Sequence, residues 1–155
     1  MAEDLISIGR LQKLHPKLRD KAIAAYREAV KVTPIGVHPF ITETLRSFER
    51  SDALYAQGRT KPGSIVTNAK GGSSYHNYAM AIDFANQING KIDWKVDKNW
   101  LKVVEVFKKY GFKWGGDFNS IKDYPHFEMS FGYTVKQLLA LYNAGKVDKD
   151  GYVLI

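Results

Sequence analysis

The chain has 155 residues and no cysteine, and its 23 Lys and Arg outnumber 16 Asp and Glu for a net charge of +7. Disulfides, cysteine nucleophiles and thiolate-held metals are excluded, so any metal must be bound by His, Asp or Glu. The basic balance favours anionic partners, but the lysines (Lys13, Lys17, Lys21, Lys31, Lys102, Lys108, Lys109) are scattered, which argues against a nucleic-acid arm.

This length suits one domain, 1–155, built on one core. The start, Met1-Ala2-Glu3-Asp4, lacks the basic and apolar regions of a secretory signal. No run approaches the roughly 18 apolar residues of a membrane span, so stable membrane insertion is not expected. Leu5, Ile8, Leu11 and Leu14 recur at helical spacing and predict a short amphipathic helix. His15-Pro16 interrupts it, and Pro16 suits the first turn of a second helix that carries Leu18, Ala22, Ala25, Tyr26 and Ala29 and ends before Thr33-Pro34. These helices, about residues 4–31, are expected to pack on the core without chemistry of their own. His15 and His38, each beside a proline, read as structural.

Phe40 to Ser47 reads as a strand, with β-branched Ile41, Thr42 and Thr44. Ser51 to Gln57 follows as a short helix stopped by Gly58, and Arg59 to Gly63 as a turn. Gly71-Gly72-Ser73-Ser74 forms a flexible approach to His76. Ala79 to Phe84 fits a buried strand, and Asn89-Gly90 a hairpin turn. Asp97 to Tyr110 places Trp100, Val103, Val104 and Phe107 on one helical face, with Gly111 as the stop. A short strand from about His126 to Met129 precedes a capping box, Thr134 to Gln137, that opens a last helix ended by Gly145. The absence of βαβ regularity predicts an α+β fold with a small, mainly antiparallel sheet flanked by helices.

Two segments concentrate residues that packing does not explain: Ser74 to Asp83, with His76 between, and Asp123-Tyr-Pro-His126-Phe-Glu128. Both set ionisable groups among apolar neighbours, where an unpaired charge is costly. Two histidines and a carboxylate are the three protein ligands of a catalytic zinc site, with a fourth position for water. A base is then needed to move that water's proton. Pro125 keeps Tyr124 out of the helical region, so Asp123 and His126 flank an extended turn. In a strict strand Glu128 shares the face of His126, which leaves Asp123 and Glu128 as rivals for base or supporting partner.

At these residues the chain resembles the zinc D-alanyl-D-alanine carboxypeptidase family, and within it the L-alanyl-D-glutamate peptidases used as phage endolysins. The family motif Ser-x-His-x-x-Gly-x-Ala-x-Asp is matched by Ser74, His76, Ala79, Ala81 and Asp83, with Ala79 in place of the glycine. A carboxylate ahead of a His-Phe pair is matched by Asp123, His126 and Phe127, and a third match joins Leu45-Arg46-Ser47 to Leu54-Tyr55-Ala-Gln57-Gly58. The resemblance spans about Ile41 to Met129. It implies a Hedgehog/DD-peptidase-like fold, zinc (Zn2+) held by His76, Asp83 and His126, Asp123 as general base, and Arg46 beside the substrate carbonyl. It also implies substrate contacts from Ser74 and Gln57. Without the resemblance, Arg46 would equally be read as a surface ion-pair partner of Glu43 or Glu49. The glycines of Trp114-Gly-Gly-Asp117, typical of these enzymes, are expected to let backbone approach substrate.

The function implied is hydrolysis of the L-alanyl-D-glutamate bond in bacterial peptidoglycan by a monomeric phage lysin. Such a lysin would wait in the host cytoplasm until a holin-type protein opens the membrane, and its charge would hold anionic envelope polymers. Removal of a terminal D-alanine, a catalytically inactive zinc module that binds cell wall, and a nucleic-acid binder are the alternatives.

Overall fold

The computed structural model describes residues 3–155; Met1 and Ala2, part of the start read above for a secretory signal, lie outside the described residues. Helix α1 (Leu5–Leu11) opens at Asp4, whose carboxylate accepts the Ser7 amide at 3.0 Å. Ile8, Leu11 and Leu14 turn inward, while Leu5 stays exposed. Helix α2 (Pro16–Val32) is capped by His15, whose Nδ1 accepts the Lys17 amide and whose Nε2 donates to the Val153 carbonyl at 2.8 Å. His38 meets Asp4 at 2.8 Å beside the Tyr26 hydroxyl. Both histidines are structural, as the proline neighbours implied. Among the described residues no helix is long and apolar enough to cross a membrane.

The sheet is antiparallel throughout, in the order β1 (Val37–Glu43), β2 (Ala81–Ile88), β5 (His126–Glu128), β4 (Lys113–Trp114), with β3 (Lys91–Asp93) also paired to β2. Strand alternation explains its two faces. Ile82, Phe84 and Phe127 are fully buried and pack under helix α4 (Lys98–Lys109), with Phe84 4.4 Å from Trp100 and Phe127 4.5 Å from Phe107 between ring centres. Asp83, His126 and Glu128 therefore project from the other face. A bulge in β1 completes that row: Ile41 pairs with Phe84, yet Glu43 pairs with Asp83 rather than with core-facing Ile82.

Several boundaries differ from the sequence reading, each for a local reason. The first strand occupies 37–43, because residues after Glu43 leave the sheet to meet the 3-10 helix Tyr75–Tyr78 through the Arg46 amide and His76 carbonyl at 3.0 Å. Helix α3 (Phe48–Ala56) starts earlier than expected because Ser47 caps it, accepting the Arg50 amide. The strand expected to end at Phe84 continues to Ile88, where Asn89-Gly90 turns the chain with both φ angles positive. Helix α5 (Val135–Asn143) opens on the expected Thr134–Gln137 capping box.

The approach to His76 is tied down rather than flexible. Asn77 is buried, and its Oδ1 accepts the Gly72 and Ser74 amides at 3.0 and 3.1 Å. Its Nδ2 reaches the Arg46 and Ser47 carbonyls and the Ser51 hydroxyl at 3.1, 3.3 and 2.9 Å. One side chain thus joins the glycine-serine loop, the 3-10 helix and the start of α3. Ala79, in place of the family's glycine, takes φ +57 as the 3-10 helix ends. The strain, of order 1 kcal/mol, is offset by its fully buried methyl, about 0.8 kcal/mol, so the ligand-bearing segment keeps its path. Replacing Asn77 by Ala should lower the unfolding free energy by about 2–4 kcal/mol, since buried amides lose their acceptor. Urea denaturation reads this directly; a loss below about 1 kcal/mol would show that the staple is dispensable.

Candidate metal centre

Glu43, Asp83 and His126 lie side by side on strands β1, β2 and β5, in one row of the sheet. His76 comes to them from the 3-10 helix. Its Nε2 is 3.2 Å from Asp83 Oδ2, and His126 Nδ1 is 3.2 Å from Asp83 Oδ1. One ligand atom from each of His76, Asp83 and His126 falls within 4.8 Å of the others. Two atoms bound at about 2.0–2.1 Å to a tetrahedral ion stand about 3.3 Å apart, so the spacing suits one small divalent cation.

The hydrogen bonds around the cluster test that fit. His76 Nδ1 lies 2.7 Å from the Thr44 carbonyl, which can only accept, so Nδ1 carries the proton and Nε2 is left to face Asp83. That Nε2 is buried and, despite its distance from Asp83, makes no aligned hydrogen bond among the described residues. A buried nitrogen without a partner, aimed at a carboxylate, is a poor arrangement for folding alone and a good one for a metal. His126 is oriented in the same manner, its Nε2 donating to Glu128 Oε1 at 2.8 Å and its Nδ1 turned to Asp83. Glu128 thereby takes the supporting place that strand alternation allowed it.

Asp123 sits at the edge of the cluster, its Oδ2 3.8 Å from His126 Nδ1 and its side chain half exposed. Its loop is fixed from three sides. The Trp100 and Trp114 indoles donate to the Tyr124 carbonyl at 3.2 and 2.8 Å, and the Asp123 amide donates to the Gly115 carbonyl at 3.0 Å. A Cβ on Gly115 would stand 2.1 Å from the Asp123 carbonyl oxygen, and one on Gly116 2.3 Å from the Trp114 ring. These glycines therefore admit the protein's own loop and indole, a correction to the expectation that they admit substrate. Asp117 pairs with Lys108 on the surface.

Arg46 is both an ion-pair partner and part of the site. It grips Glu43 with two bonds, at 2.8 and 2.6 Å, while Nη2 lies 4.0 Å from Asp83 Oδ2. Burial raises the Asp123 carboxyl above its ordinary value, and the Asp83 charge adds to the shift against the pull of the imidazoles and Arg46. Burial opposes charge on Asp83 too, but the neighbouring His76 and His126 imidazoles hold it well below the usual carboxylate range.

A cleft of about 600 Å³ collects Arg46, Ser74, His76, Asp83, Asp123 and His126, bringing together six of the seven residues singled out from the sequence. Ser74 accepts the His76 amide and caps the 3-10 helix. Gln57 is outside the cleft; its side chain donates to the Ser64 carbonyl at 3.0 Å. Glu43, Arg50 and Asn77 escaped the sequence reading. Glu43 was visible only as a rival partner for Arg46, and nothing in a linear pattern foretells a bulge that turns it towards Asp83.

Residues 67–129 match the family described as D-alanyl-D-alanine carboxypeptidase. The chain is 49% identical over 125 residues to the peptidoglycan L-alanyl-D-glutamate endopeptidase CwlK of Bacillus subtilis strain 168, covering 75% of this chain and 73% of that protein. It is 31% identical over 122 residues to the L-alanyl-D-glutamate peptidase of Listeria phage A118, covering 76% of this chain and 40% of that one. The L-Ala D-Glu endopeptidase ChiX of Serratia marcescens shares the fold, with a TM-score of 0.59, 22% identity, and 81% and 87% of the two chains covered. The D,D-dipeptidase VanXYg does so with a TM-score of 0.54, 15% identity, and coverage of 89% and 62%.

The cluster makes the metal-stripped protein sensitive to pH. Burial works against the His126 charge, but bonds to Asp83 and Glu128 outweigh it and push the imidazole up from 6.5 to about 9. Its contribution to stability is therefore fully present below pH 6.5 and lost as pH rises through about 9. Asp83, shifted the other way, contributes above the ordinary carboxylate range and fails only in stronger acid. In chelator-treated protein, Tm should fall between pH 6.5 and 9, with that fall abolished in His126→Gln; an unchanged slope in the variant would assign it to other groups.

Proposed function

Because the chain belongs to the D-alanyl-D-alanine carboxypeptidase family of peptidases, we propose that it is a zinc peptidase cutting the L-alanyl-D-glutamate bond of bacterial peptidoglycan. The bond is supported by the two curated relatives, whose names both specify it. The metal is supported by the buried, unbonded His76 Nε2 beside Asp83, which is the observation that carries the chemistry. His76, Asp83 and His126 would hold zinc, which when bound supplies a Lewis acid that polarises a peptide carbonyl and acidifies water to a pKa of about 7.

The remaining work falls to this chain's own side chains. Asp123, at the mouth of the cluster and with its carboxyl shifted upward, takes the proton of the attacking water and returns it to the departing amine. A raised carboxyl suits both halves of that task, because its carboxylate takes the proton from water more readily and, once protonated, can pass it to the amine. Arg46, fixed by Glu43, offers a cation to the carbonyl oxygen as that atom gains negative charge. Glu128 and the Thr44 carbonyl keep the two imidazoles turned towards Asp83. The Ser74 hydroxyl, on the wall of the same cleft, is available to substrate, and Gln57 would contact it only through the neighbouring loop.

The chain acts in this reading as one catalytic domain, a monomer drawn to the wall in part by its positive charge. A phage-lysin role, in which it stays in the host cytoplasm until lysis, is supported by the Listeria phage relative. The higher identity to the Bacillus subtilis enzyme favours a second setting, an enzyme of a bacterium's own wall. Transcript timing after prophage induction separates the two.

Asp123→Ala should retain metal and lower the release of new amino groups from purified sacculi by about 10²–10⁴-fold. Retained lysis would remove Asp123 from the mechanism. Mass spectrometry of digested muropeptides should reveal new amino-terminal D-glutamate, abolished by chelator and restored by zinc; free D-alanine instead would establish a carboxypeptidase.

A further inference from the structure

The cleft walls carry four carboxylates, Glu43, Asp83, Asp123 and Glu128, and two guanidinium groups, Arg46 and Arg50. Arg46 is committed to Glu43 by two short bonds. Arg50 lines the same cleft, is exposed, and makes no side-chain hydrogen bond or ion pair among the described residues, so its charge is free to meet a ligand. Nor is its position loose. It lies in the first turn of α3, between Ser47, which caps its own amide, and Ser51, whose hydroxyl is held by Asn77 at 2.9 Å. Asn77 belongs to the same 3-10 helix as His76. The backbone of Arg50 is thus pinned to the element that carries one of the metal-facing imidazoles.

The proposed substrate has a charge that this arrangement fits; the inference rests on that reading of the function. D-glutamate has two carboxyl groups, and only one can continue the peptide stem. The other remains a carboxylate on the amine side of the scissile bond. Brought into a cleft lined by four acids, it would meet net repulsion unless a cation received it, and Arg46 is already paired. We infer that Arg50 is the substrate-binding residue that receives the spare carboxylate of the D-glutamyl residue. A planar guanidinium can do so with two parallel hydrogen bonds, which a lysine cannot reproduce. The apolar side chains of Leu54, Val66 and Val135 line the same cleft and leave the carboxylate no competing protein cation beyond Arg46.

The test compares two synthetic stem peptides with zinc supplied, one with the D-glutamyl carboxylate free and one with it amidated. The unsubstituted enzyme should cleave the free acid with a kcat/KM higher by about tenfold to a hundredfold, chiefly through KM. Arg50→Gln should lose that advantage and leave the amidated peptide unchanged, and Arg50→Lys should restore part of it. Calorimetry with the amino-terminal D-glutamyl product, which needs no turnover, should show binding that weakens by a similar factor in Arg50→Gln. Equal cleavage of both peptides by the unsubstituted enzyme, or a loss in Arg50→Gln that falls equally on both, would overturn the role of Arg50 while leaving the function intact. Cleavage of neither peptide would overturn the reading of the function, and this inference with it.

Discussion

A partly buried carboxylate set between two imidazoles is the constraint around which this protein is organised. Asp83 stands 3.2 Å from each of His76 and His126 on the face of the sheet that lines the cleft. Leaving such a charge unpaired in an interior costs several kcal/mol. The fold answers with positive charge from several directions: the His126 imidazole, the Arg46 guanidinium, and a geometry suited to a divalent cation. Stability and proposed chemistry are therefore in tension at one point. Protonated His126 stabilises the metal-stripped protein, whereas a metal requires its lone pair, so uptake of the ion must release a proton.

The surrounding structure is best understood as a set of devices that hold this point rigid. The aromatic face of the sheet, Phe84 and Phe127 against Trp100 and Phe107, fixes the strands from beneath. Asn77 fixes the 3-10 helix from one side, drawing α3 and the glycine-serine loop onto it. Two indole N–H groups converge on the Tyr124 carbonyl and fix the Asp123 loop from the other. Hydrogen bonds from the far side of each imidazole then select which ring nitrogen faces Asp83. Each device is modest alone, at about 1 kcal/mol for a typical hydrogen bond. Together they confine the side chains of the candidate site, and confinement of that kind is what the proposed catalysis requires.

The sequence reading and the structure part where contacts replace periodicity. The helices were legible because apolar spacing and caps are local: Pro16 at a first turn, the Thr134–Gln137 capping box, Gly111 as a stop. The antiparallel sheet was legible from β-branched residues, a short apolar run, the Asn89-Gly90 turn and the absence of βαβ regularity. The early start of α3 was missed although Ser47 is an ordinary cap, because Thr44 looked like a continuation of the strand. The glycine-serine stretch was misjudged as flexible for a deeper reason. Composition reports the freedom of an isolated chain, whereas Asn77 removes that freedom with bonds between residues far apart in sequence.

By itself the sequence determined the chemistry available: no thiols, two histidines and an aspartate in motif spacing, and a carboxylate a turn ahead of the second histidine. These are matters of residue type and local order, which a linear pattern carries in full. It could not determine which carboxylate supports His126 and which stands at the cleft mouth, because Asp123 and Glu128 both lie within three residues of it along the chain. Only the tertiary structure separated them, by giving Glu128 a strand position and Asp123 a turn clamped by two tryptophans. It alone also brought Glu43 beside Asp83 through a one-residue bulge and left Arg50 facing the cleft unpaired, since register and pairing are decided between segments and not within them.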